Sequence, residues 1–211
     1  KHILDINYIG TEKNLLLKRN SIMAIKPESN TDIKLNFIDL FSGAGGIGVG
    51  FEQAGYEHLL SADFASGVAQ TFRHNNNSTP FFEGDLSHDD VFEKIKSAVG
   101  KKEIDVLVGG PPCQGFSMFG KRRFVNSKSH DPHEDIRNDL IFTYLRYVEE
   151  LKPKWFMMEN VAGLANLADG YFLEKFIERV KELGYNDFDY KIINTADYGV
   201  PQKRKRFIFL A

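Results

Sequence analysis

The sequence has very little cysteine. One cysteine, Cys113, occurs among 211 residues. A single thiol excludes an internal disulfide framework and a cysteine-based metal cluster, and it favours a reducing compartment. No apolar run is long enough to span a bilayer. We therefore expect a cytoplasmic protein that has no metal centre and makes no membrane contact.

The sequence also lacks an excess of charge of either sign. Its 27 Lys and Arg residues stand against 29 Asp and Glu residues, for a formal net charge of −2. Phosphate-binding domains are commonly basic overall, so this balance does not by itself indicate a nucleic-acid binder. Basic residues nevertheless cluster at 121–123 and 203–206. Each cluster fits a solvated surface as well as it fits a phosphate-binding one.

Apolar strand patterns alternate with helical patterns from residue 36 onward. This alternation, in a chain long enough for one domain, predicts an α/β fold with a doubly wound, mostly parallel sheet. Residues 1–35 carry no legible chemistry, and we interpret them as an N-terminal extension or linker. Strands are predicted at 36–41, 58–62, 105–108, 154–158 and 207–210, and residues 81–86 are predicted to form a strand and the turn after it.

Cys113 follows one of these strands directly. A lone cysteine is most often a small buried hydrophobe. Here, however, Pro111 and Pro112 restrict the backbone on its N-terminal side, and the polar, flexible segment 114–117 cannot continue the strand. The thiol is therefore predicted at the carboxyl end of a strand, where open α/β sheets bind their ligands.

Three signals in the first half of the chain indicate a nucleotide-like cofactor. The glycine-rich turn 42–46 follows the first strand and precedes a helix, which lets a ligand approach the backbone. Asp63 follows the second strand about 20 residues later, where an acidic group can accept both ribose hydroxyls. Asp85 follows the third strand, although its type and place also fit a turn or helix N-cap residue.

Two signals in the second half indicate catalysis. Glu159 ends an otherwise apolar run, where a carboxylate is expensive to bury without a partner. Arg204 and Arg206 are two residues apart on an extended segment, so both are predicted to point to the same face.

These segments together resemble the DNA cytosine-5 methyltransferase family. The resemblance covers about residues 36–210 and rests on motifs in the family order: Asp-Leu-Phe-Ser at 39–42, Pro-Pro-Cys-Gln-Gly-Phe-Ser at 111–117, Glu-Asn-Val at 159–161 and Gln-Lys-Arg-Lys-Arg at 202–206. It implies a Rossmann-like fold with an antiparallel last strand. It further implies methyl transfer from S-adenosylmethionine to C5 of a cytosine flipped out of double-stranded DNA, in a bacterial restriction-modification enzyme associated with the nucleoid through its DNA.

The resemblance also implies a role for each matching residue. Cys113 adds to C6 of the base, protonated Glu159 contacts N3, Arg206 contacts O2 and Arg204 braces the site. The cofactor residues that it implies are Phe41, Gly43, Ala44, Gly45, Gly46, Asp63, Phe64, Asp85, Leu86, Gly110, Pro112 and Leu140. The DNA contacts that it implies are Gln114, Ser117, Lys121, Arg122 and Arg123.

Two alternatives stay open at this point. The tRNA-methylating branch of the same family shares these motifs, although Gly115 resembles it less. The chain could also be the cofactor-binding half of a split methyltransferase, because the family continues beyond the arginine motif into a target-recognition domain and a final motif. We therefore expect a fragment, or one half of an enzyme that needs a second chain.

Overall fold

A seven-stranded sheet forms the centre of the fold. The computed structural model describes residues 34–76, 78–112 and 140–211, and the strand order within them is β3-β2-β1-β4-β5-β7-β6. Strands β1 to β5 are parallel, and β7 runs antiparallel to both β5 and β6. The strands are β1 (Asn36–Leu40), β2 (Glu57–Asp63), β3 (Phe81–Glu83), β4 (Val106–Gly109), β5 (Trp155–Val161), β6 (Asp189–Asn194) and β7 (Lys205–Leu210).

Helices connect the parallel strands and cover the sheet. Their apolar residues recur at helical spacing, so each buries one stripe against the strands. In α3, for example, Val91, Phe92, Ile95 and Val99 are all buried. The α-helices are α1 (Gly46–Gln53), α2 (Ser66–Asn75), α3 (Asp89–Val99), α4 (Leu140–Leu151) and α5 (Tyr171–Glu182), and two 3-10 helices span Ala162–Gly170 and Thr195–Tyr198.

The sequence patterns predicted most of this architecture. The mostly parallel sheet with an antiparallel last strand is confirmed, and the predicted strands appear within a few residues of their expected bounds. Two features differ. β5 runs on to Val161, because residues 157–161 pair with β7. β6 has no counterpart among the predicted strands, since most of its residues are exposed and its apolar pattern is weak.

Close packing at Gly109 holds β4 between β1 and helix α4. A Cβ atom added at Gly109 would lie 2.6 Å from the carbonyl oxygen of Leu40 and 2.7 Å from Cε2 of Tyr144. The ring of Tyr144 is fully buried, and its hydroxyl lies 2.9 Å from the carbonyl oxygen of Leu107 and 3.0 Å from that of Met157. Tyr144 cannot move without breaking its hydrogen bonds, and the Leu40 oxygen belongs to the backbone of the paired strand β1, so β4 needs glycine at this position.

We expect Gly109→Ala to destabilise the protein by about 1–3 kcal/mol, because the added methyl overpacks the core against backbone. The matched control is Gly50→Ala in helix α1, where an added Cβ meets nothing within 4 Å. That change should be neutral or should stabilise by up to about 1 kcal/mol through helix propensity. Urea unfolding of both variants measures the difference, and equal midpoints would contradict the packing described here.

Candidate active site

The carboxyl ends of four parallel strands meet along one edge of the sheet. Leu40 at the end of β1 pairs with Ala62 of β2 and with Gly109 of β4, and Gly109 pairs with Met158 of β5. Segments that leave these strands therefore come together at this edge, as in other open α/β sheets. We call it the active-site edge, and it is made by residues 41–46, 63–65, 110–112 and 159–161.

The loop that follows β1 has an unusual backbone. Phe41 has a φ of 54°, which residues other than glycine rarely adopt and which is frequent at functional sites. Gly45 has a φ of 94°, and a Cβ added there would lie 2.9 Å from the ring of Phe72. A Cβ at Gly46, by contrast, would meet nothing within 4 Å. The loop is thus fixed on its inner side and open on its outer side.

Asp63 ties this loop to the end of β2. One of its carboxylate oxygens accepts a hydrogen bond from the N–H of Gly43 at 3.0 Å, and the other accepts one from the N–H of Ala65 at 3.1 Å. Each oxygen keeps a second lone pair for a further donor. The next residue, Phe64, is 63% exposed. A buried carboxylate and an open aromatic ring therefore stand side by side at the active-site edge.

The residues after β3 form a tight turn. Asp85 accepts hydrogen bonds from the hydroxyl of Ser87 at 2.6 Å and from its N–H at 2.9 Å, and these bonds hold the pKa of Asp85 below its usual range. Leu86 is 1% exposed, and its carbonyl oxygen accepts a hydrogen bond from the hydroxyl of Tyr147. Asp85 is thus a turn residue here, and its oxygens remain at the surface.

Glu159 and Arg206 form an ion pair across two neighbouring strands. Nε of Arg206 lies 2.6 Å from Oε1 of Glu159, with the two side chains 19% and 25% exposed. β5 carries Glu159 and β7 carries Arg206, which pairs in register with Val161. The predicted need of Glu159 for a partner is met by this arginine. The other oxygen, Oε2, would be 3.2 Å from a Cβ at Gly110, so glycine leaves room for the carboxylate.

Sequence reasoning gave no role to Asn160, and the structure supplies one. Its side chain is buried, Nδ2 donates to the carbonyl oxygen of Pro111 at 3.0 Å, and Oδ1 accepts from the N–H of Val161 at 2.8 Å. The amide therefore fixes the backbone two residues before Cys113. The sequence signal for this role is an asparagine beside the glutamate of an apolar strand, because a buried amide needs hydrogen-bond partners.

Arg204 lies outside β7, and its side chain is exposed. Its N–H donates to Oδ1 of Asn194 at 3.1 Å, and its carbonyl oxygen accepts from the N–H of Thr195 at 3.0 Å. The structure thus brings Arg206 to Glu159, whereas the bonds of Arg204 are made by its backbone. Of the predicted site, Cys113, Gln114, Ser117, Lys121, Arg122 and Arg123 lie outside the described residues. Pro112 is described and exposed, and Leu140 is described and half-buried.

Asp39, in β1 beneath helix α1, is a second residue to which sequence reasoning gave no chemistry. The side chain is fully buried. Its Oδ2 accepts a hydrogen bond from the N–H of Gly48 at 3.2 Å, whereas Oδ1 has no hydrogen-bond partner among the described residues. Burial raises the pKa of Asp39 to about 8, the bond from Gly48 opposes that rise, and the charge of Asp63 adds to it.

We expect Asp39→Asn to change how stability depends on pH. Asp39 binds a proton more tightly in the folded than in the unfolded chain, so its contribution is fully present below about pH 4 and is lost as pH rises to about 8. The loss is at most roughly 1.4 kcal/mol per pH unit. Asparagine keeps the acceptor for Gly48 and does not ionise. The variant should gain stability relative to wild type between pH 5 and 8 in urea unfolding, and parallel profiles would contradict this.

His58 holds helix α1 from the neighbouring strand. Its Nδ1 lies 2.8 Å from Oε1 of Glu52 and its Nε2 lies 2.9 Å from Oγ of Ser61. In the tautomer that satisfies both contacts, Nδ1 donates to the carboxylate of Glu52 and Nε2 accepts from the hydroxyl of Ser61. Burial lowers the pKa of His58 although Glu52 opposes that effect. The helix that begins at the glycine-rich loop is therefore anchored at both Gly48 and Glu52.

The described residues form neither a membrane-spanning helix nor a cluster of metal ligands. No helix among them is both long and apolar enough to cross a membrane. In the same part of the chain, no three His, Cys, Asp or Glu side chains come together as ligands for a metal ion.

The sequence of this chain matches the model of one known protein family. The model of the C-5 cytosine-specific DNA methylase family matches residues 35–211. The chain belongs to this family. The match spans every strand described above, and the matched residues include Cys113. Family and fold imply a cofactor of the S-adenosylmethionine type.

Relatives of this C-5 methylase chain carry names of one kind. It is 41% identical over 176 residues to the Type II methyltransferase M.XorII of Xanthomonas oryzae pv. oryzae, a match that covers 82% of this chain and 39% of that protein. It is 39% identical over 183 residues to M1.HphI of Haemophilus parahaemolyticus, covering 84% and 46%. With M.AquIA of a Picosynechococcus strain it is 38% identical, covering 80% and 68%. The chain therefore spans less than half the length of the first two.

Solved structures show the same fold. A protein titled as a DNA modification methyltransferase encoded within an Escherichia coli prophage has a TM-score of 0.66 and 30% identity, covering 84% of this chain and 46% of that one. The Dnmt2 methyltransferase of S. pombe has a TM-score of 0.57 with 16% identity, covering 84% and 49%. At that identity the second likeness concerns the fold alone.

Proposed function

We propose that this chain transfers a methyl group from S-adenosylmethionine to C5 of cytosine in DNA. The observation that carries the proposal is the Glu159–Arg206 ion pair, 2.6 Å long, at the edge where β4 leads through Gly110 and Pro112 to Cys113. Family membership supports the reaction class, and the names of the relatives support a sequence-specific enzyme of a restriction-modification system.

The residues of the first three loops fit an adenosine cofactor. Phe64 offers an open ring for the adenine face, and Asp63 keeps two free lone pairs for the ribose hydroxyls. Asp85 keeps its carboxylate at the surface for the adenine amino group, while Leu86, whose side chain is buried, would act through its backbone. The remaining predicted contacts, which would close the pocket, are Phe41, Gly43, Ala44, Gly45, Gly46, Gly110, Pro112 and Leu140. S-adenosylmethionine, when bound, supplies an electrophilic methyl group.

Cytosine needs covalent activation, because C5 of the free base is a poor nucleophile. The thiolate of Cys113 adds to C6, so that a C–S bond forms and the C5–C6 π electrons become available at C5. C5 then takes up the methyl group. The sulfur that gives up the methyl group keeps the electrons of the broken S–C bond. Transfer of the C5 proton to solvent then restores the C5–C6 double bond as the C–S bond to Cys113 breaks, which releases Cys113 as a thiolate. The reaction therefore needs no oxidant or reductant.

Glu159 and Arg206 stabilise the charge that this addition develops. Density moves from C6 toward N3 and O2. There Glu159, which takes up a proton when the base displaces Arg206 from it, donates to N3, and the guanidinium of Arg206 donates to O2. Because their contact is 2.6 Å long, both groups lie at one point of the active-site edge. When the base arrives, each group replaces its contact with the other by a contact with the base. Arg204, next but one along the chain, is proposed to brace the site.

The target base must leave the DNA helix to reach such a pocket. The thiolate adds to a face of the ring, and both faces are covered while the cytosine is stacked, so enzymes that react with a base extrude it. The segment after Cys113 carries Gln114, Ser117, Lys121, Arg122 and Arg123, which we propose contact the DNA around the flipped base.

Phe64 provides a test of the cofactor site. We expect Phe64→Ala to raise the Kd for S-adenosylmethionine by about tenfold, since stacking on an aromatic ring is worth roughly 1–3 kcal/mol per base. The fold should survive, because the ring is 63% exposed. Trp155, which is 45% exposed at the start of β5 and thus at the opposite edge, gives the control Trp155→Ala. Calorimetric titration should separate the two variants, and equal Kd values would contradict the site.

The reaction itself is tested by transfer of labelled methyl groups. The full-length protein is incubated with labelled S-adenosylmethionine and with either unmethylated duplex DNA or tRNA. We expect label in DNA as 5-methylcytosine. Label confined to tRNA would contradict the proposed substrate, and label in neither would contradict the proposed activity.

A further inference from the structure

β6 is an end strand of the sheet. It pairs with β7 alone among the described strands. An end strand leaves a row of backbone N–H and C=O groups unpaired on its outer side, and a strand of another chain can pair with that row. Residues 189–192 are all exposed. Within the described part of the chain, the outer side of β6 is therefore open along most of its length.

The end strand at the other side of the sheet, β3, is protected. It has only three residues, and its Glu83 lies 3.0 Å from Arg73 of α2 in an ion pair. Short length and charge are two means by which natural sheets prevent pairing at an edge. β6 has six residues, and its Asp189 and Lys191 lie within ion-pair distance of no opposite charge among the described residues. Of the two end strands, β6 is the one available to a partner.

Aromatic rings fix one face of β6. The rings of Phe188 and Tyr190 stack on the ring of Phe209, with centroids 5.5 Å and 6.2 Å away, and Tyr190 also lies 5.6 Å from Phe207. Phe207 and Phe209 are fully buried, whereas Tyr190 is 44% and Ile192 45% exposed. This face of β6 therefore continues the core outward and ends in apolar side chains that a further strand would cover.

The alternation of side chains along β6 makes the strand complementary to itself. Residues 188, 190 and 192 point to one face, and Asp189 and Lys191 point to the other. In an antiparallel pair of two β6 strands related by a two-fold axis at Tyr190, Asp189 of each copy lies opposite Lys191 of the other. Phe188 of each copy lies opposite Ile192 of the other, and the two Tyr190 rings meet at the axis. Opposite charges on one face and apolar pairs on the other both stabilise a sheet.

The two neighbouring registers lack this match. With the axis at Lys191, the two copies of that lysine lie directly opposite each other. With the axis at Asp189, the two aspartates do so. Like charges directly opposite each other destabilise a pair of strands. The charges of β6 therefore favour the register that is centred on Tyr190.

We propose that β6 pairs with β6 of a second copy of this chain, antiparallel and centred on Tyr190, so that two sheets join into one. The inference concerns assembly and does not depend on the proposed substrate. β6 reaches the active-site edge at Asn194, which pairs with Lys205, so the axis at Tyr190 lies away from that edge. Because the two strands run in opposite directions, the two active-site edges face opposite ways. Each copy then acts on its own DNA.

Sedimentation equilibrium of the full-length protein tests the pairing. Since the pairing of one strand makes a small interface, we expect a weak dimer, whose mass rises from one copy toward two between about 1 and 100 µM. Asp189→Lys and Lys191→Asp each turn both attractions of the dimer into repulsions. Each variant should raise the Kd of the dimer by about tenfold or more. Both side chains are exposed, so methyl transfer should stay as in wild type.

An equimolar mixture of the two variants decides the register. In the mixed pair, both lysines of one chain meet both aspartates of the other, so the mixture should form the dimer that neither variant forms alone. Lys101→Asp is the matched control, because this exposed lysine lies between α3 and β4 and has no ion-pair partner among the described residues. It should leave the Kd of the dimer as in wild type.

Three results would overturn the inference. Wild type that stays at the mass of one copy up to about 100 µM forms no such dimer. A wild-type dimer that both charge variants also form equally well uses another surface. A mixture of the variants that associates no better than either variant alone contradicts the antiparallel register. None of these results bears on methyl transfer, so the proposed function is judged separately by the transfer of label.

Discussion

Cys113→Ala is expected to abolish methyl transfer while the affinity for S-adenosylmethionine stays as in wild type. In the proposed mechanism the thiolate forms the bond to C6 that makes C5 a nucleophile, and alanine has no group that could replace it. The proposed cofactor residues Asp63 and Phe64 belong to β2 and its following loop, so they do not depend on the thiol. Single-turnover transfer to DNA and calorimetric titration with the cofactor measure the two quantities.

A duplex that contains 5-fluorocytosine at the target position sharpens this test. Fluorine cannot leave C5 as a proton does, so the C–S bond cannot break after methyl transfer. Wild-type protein should gain the mass of one DNA strand in intact-mass measurement, and the Cys113→Ala variant should not. Methyl transfer by the alanine variant at a measurable fraction of the wild-type rate would overturn the covalent mechanism.

Glu159→Gln should lower the rate of methyl transfer by about 10²- to 10⁴-fold, which is the usual contribution of a positioned proton donor. Glutamine has the shape of the carboxyl group, but it offers an amide in place of an acidic proton at N3. It also removes the negative charge that Arg206 meets at 2.6 Å. The arginine stays near O2, so binding of the base should suffer less than its reaction, and the loss should appear in kcat more than in KM.

Glu149→Gln is the control for the loss of an ion pair as such. Glu149 meets Arg179 at 2.7 Å on the exposed side of the molecule, away from the active-site edge. Exposed pairs of this kind contribute about 0–1 kcal/mol to stability. This variant should transfer methyl groups at the wild-type rate. If Glu149→Gln and Glu159→Gln lose the same fraction of activity, Glu159 has no catalytic role of its own.

The sequence was sufficient to predict which strands converge on the site. Buried parallel strands appear as short apolar runs, and glycine, proline or acidic residues end each run at the edge where ligands bind. Phe37 to Leu40 and Val106 to Gly109 follow this rule in the structure. The convergence of Glu159 and Arg206 was predicted from the resemblance, and their ion pair supplies the physical partner that a carboxylate in an apolar strand requires.

Other features depend on contacts between residues that are distant in the sequence. β6 forms through its backbone pairing with β7, since its own residues are mostly exposed. Glu159 lies inside β5 because it pairs in register with Ile208. The tight packing at Gly109 depends on Leu40 and Tyr144. A local pattern contains none of these partners, so neither propensity nor periodicity could predict them.

Buried polar groups are a third kind of feature, one that the sequence predicts only in part. Asp39 and Asn160 each sit in an apolar run, where residue type alone shows that a partner is needed but not which one. The structure identifies Gly48 as the donor to Asp39 and Pro111 as the acceptor for Asn160. The Asn160 contact fixes the loop after β4, and the Asp39 contact holds helix α1 next to the glycine-rich loop, so both residues support the site through its backbone.

Base-resolution sequencing of 5-methylcytosine tests the central claim most directly. The full-length protein and its Cys113→Ala version are expressed in a host without cytosine methylation, and both the DNA and the tRNA are sequenced. A DNA cytosine-5 methyltransferase should leave 5-methylcytosine in one short DNA context, and the alanine version should leave none. Unmodified DNA beside a newly methylated tRNA position would contradict the proposed substrate, and unmodified DNA and tRNA together would contradict the proposed reaction.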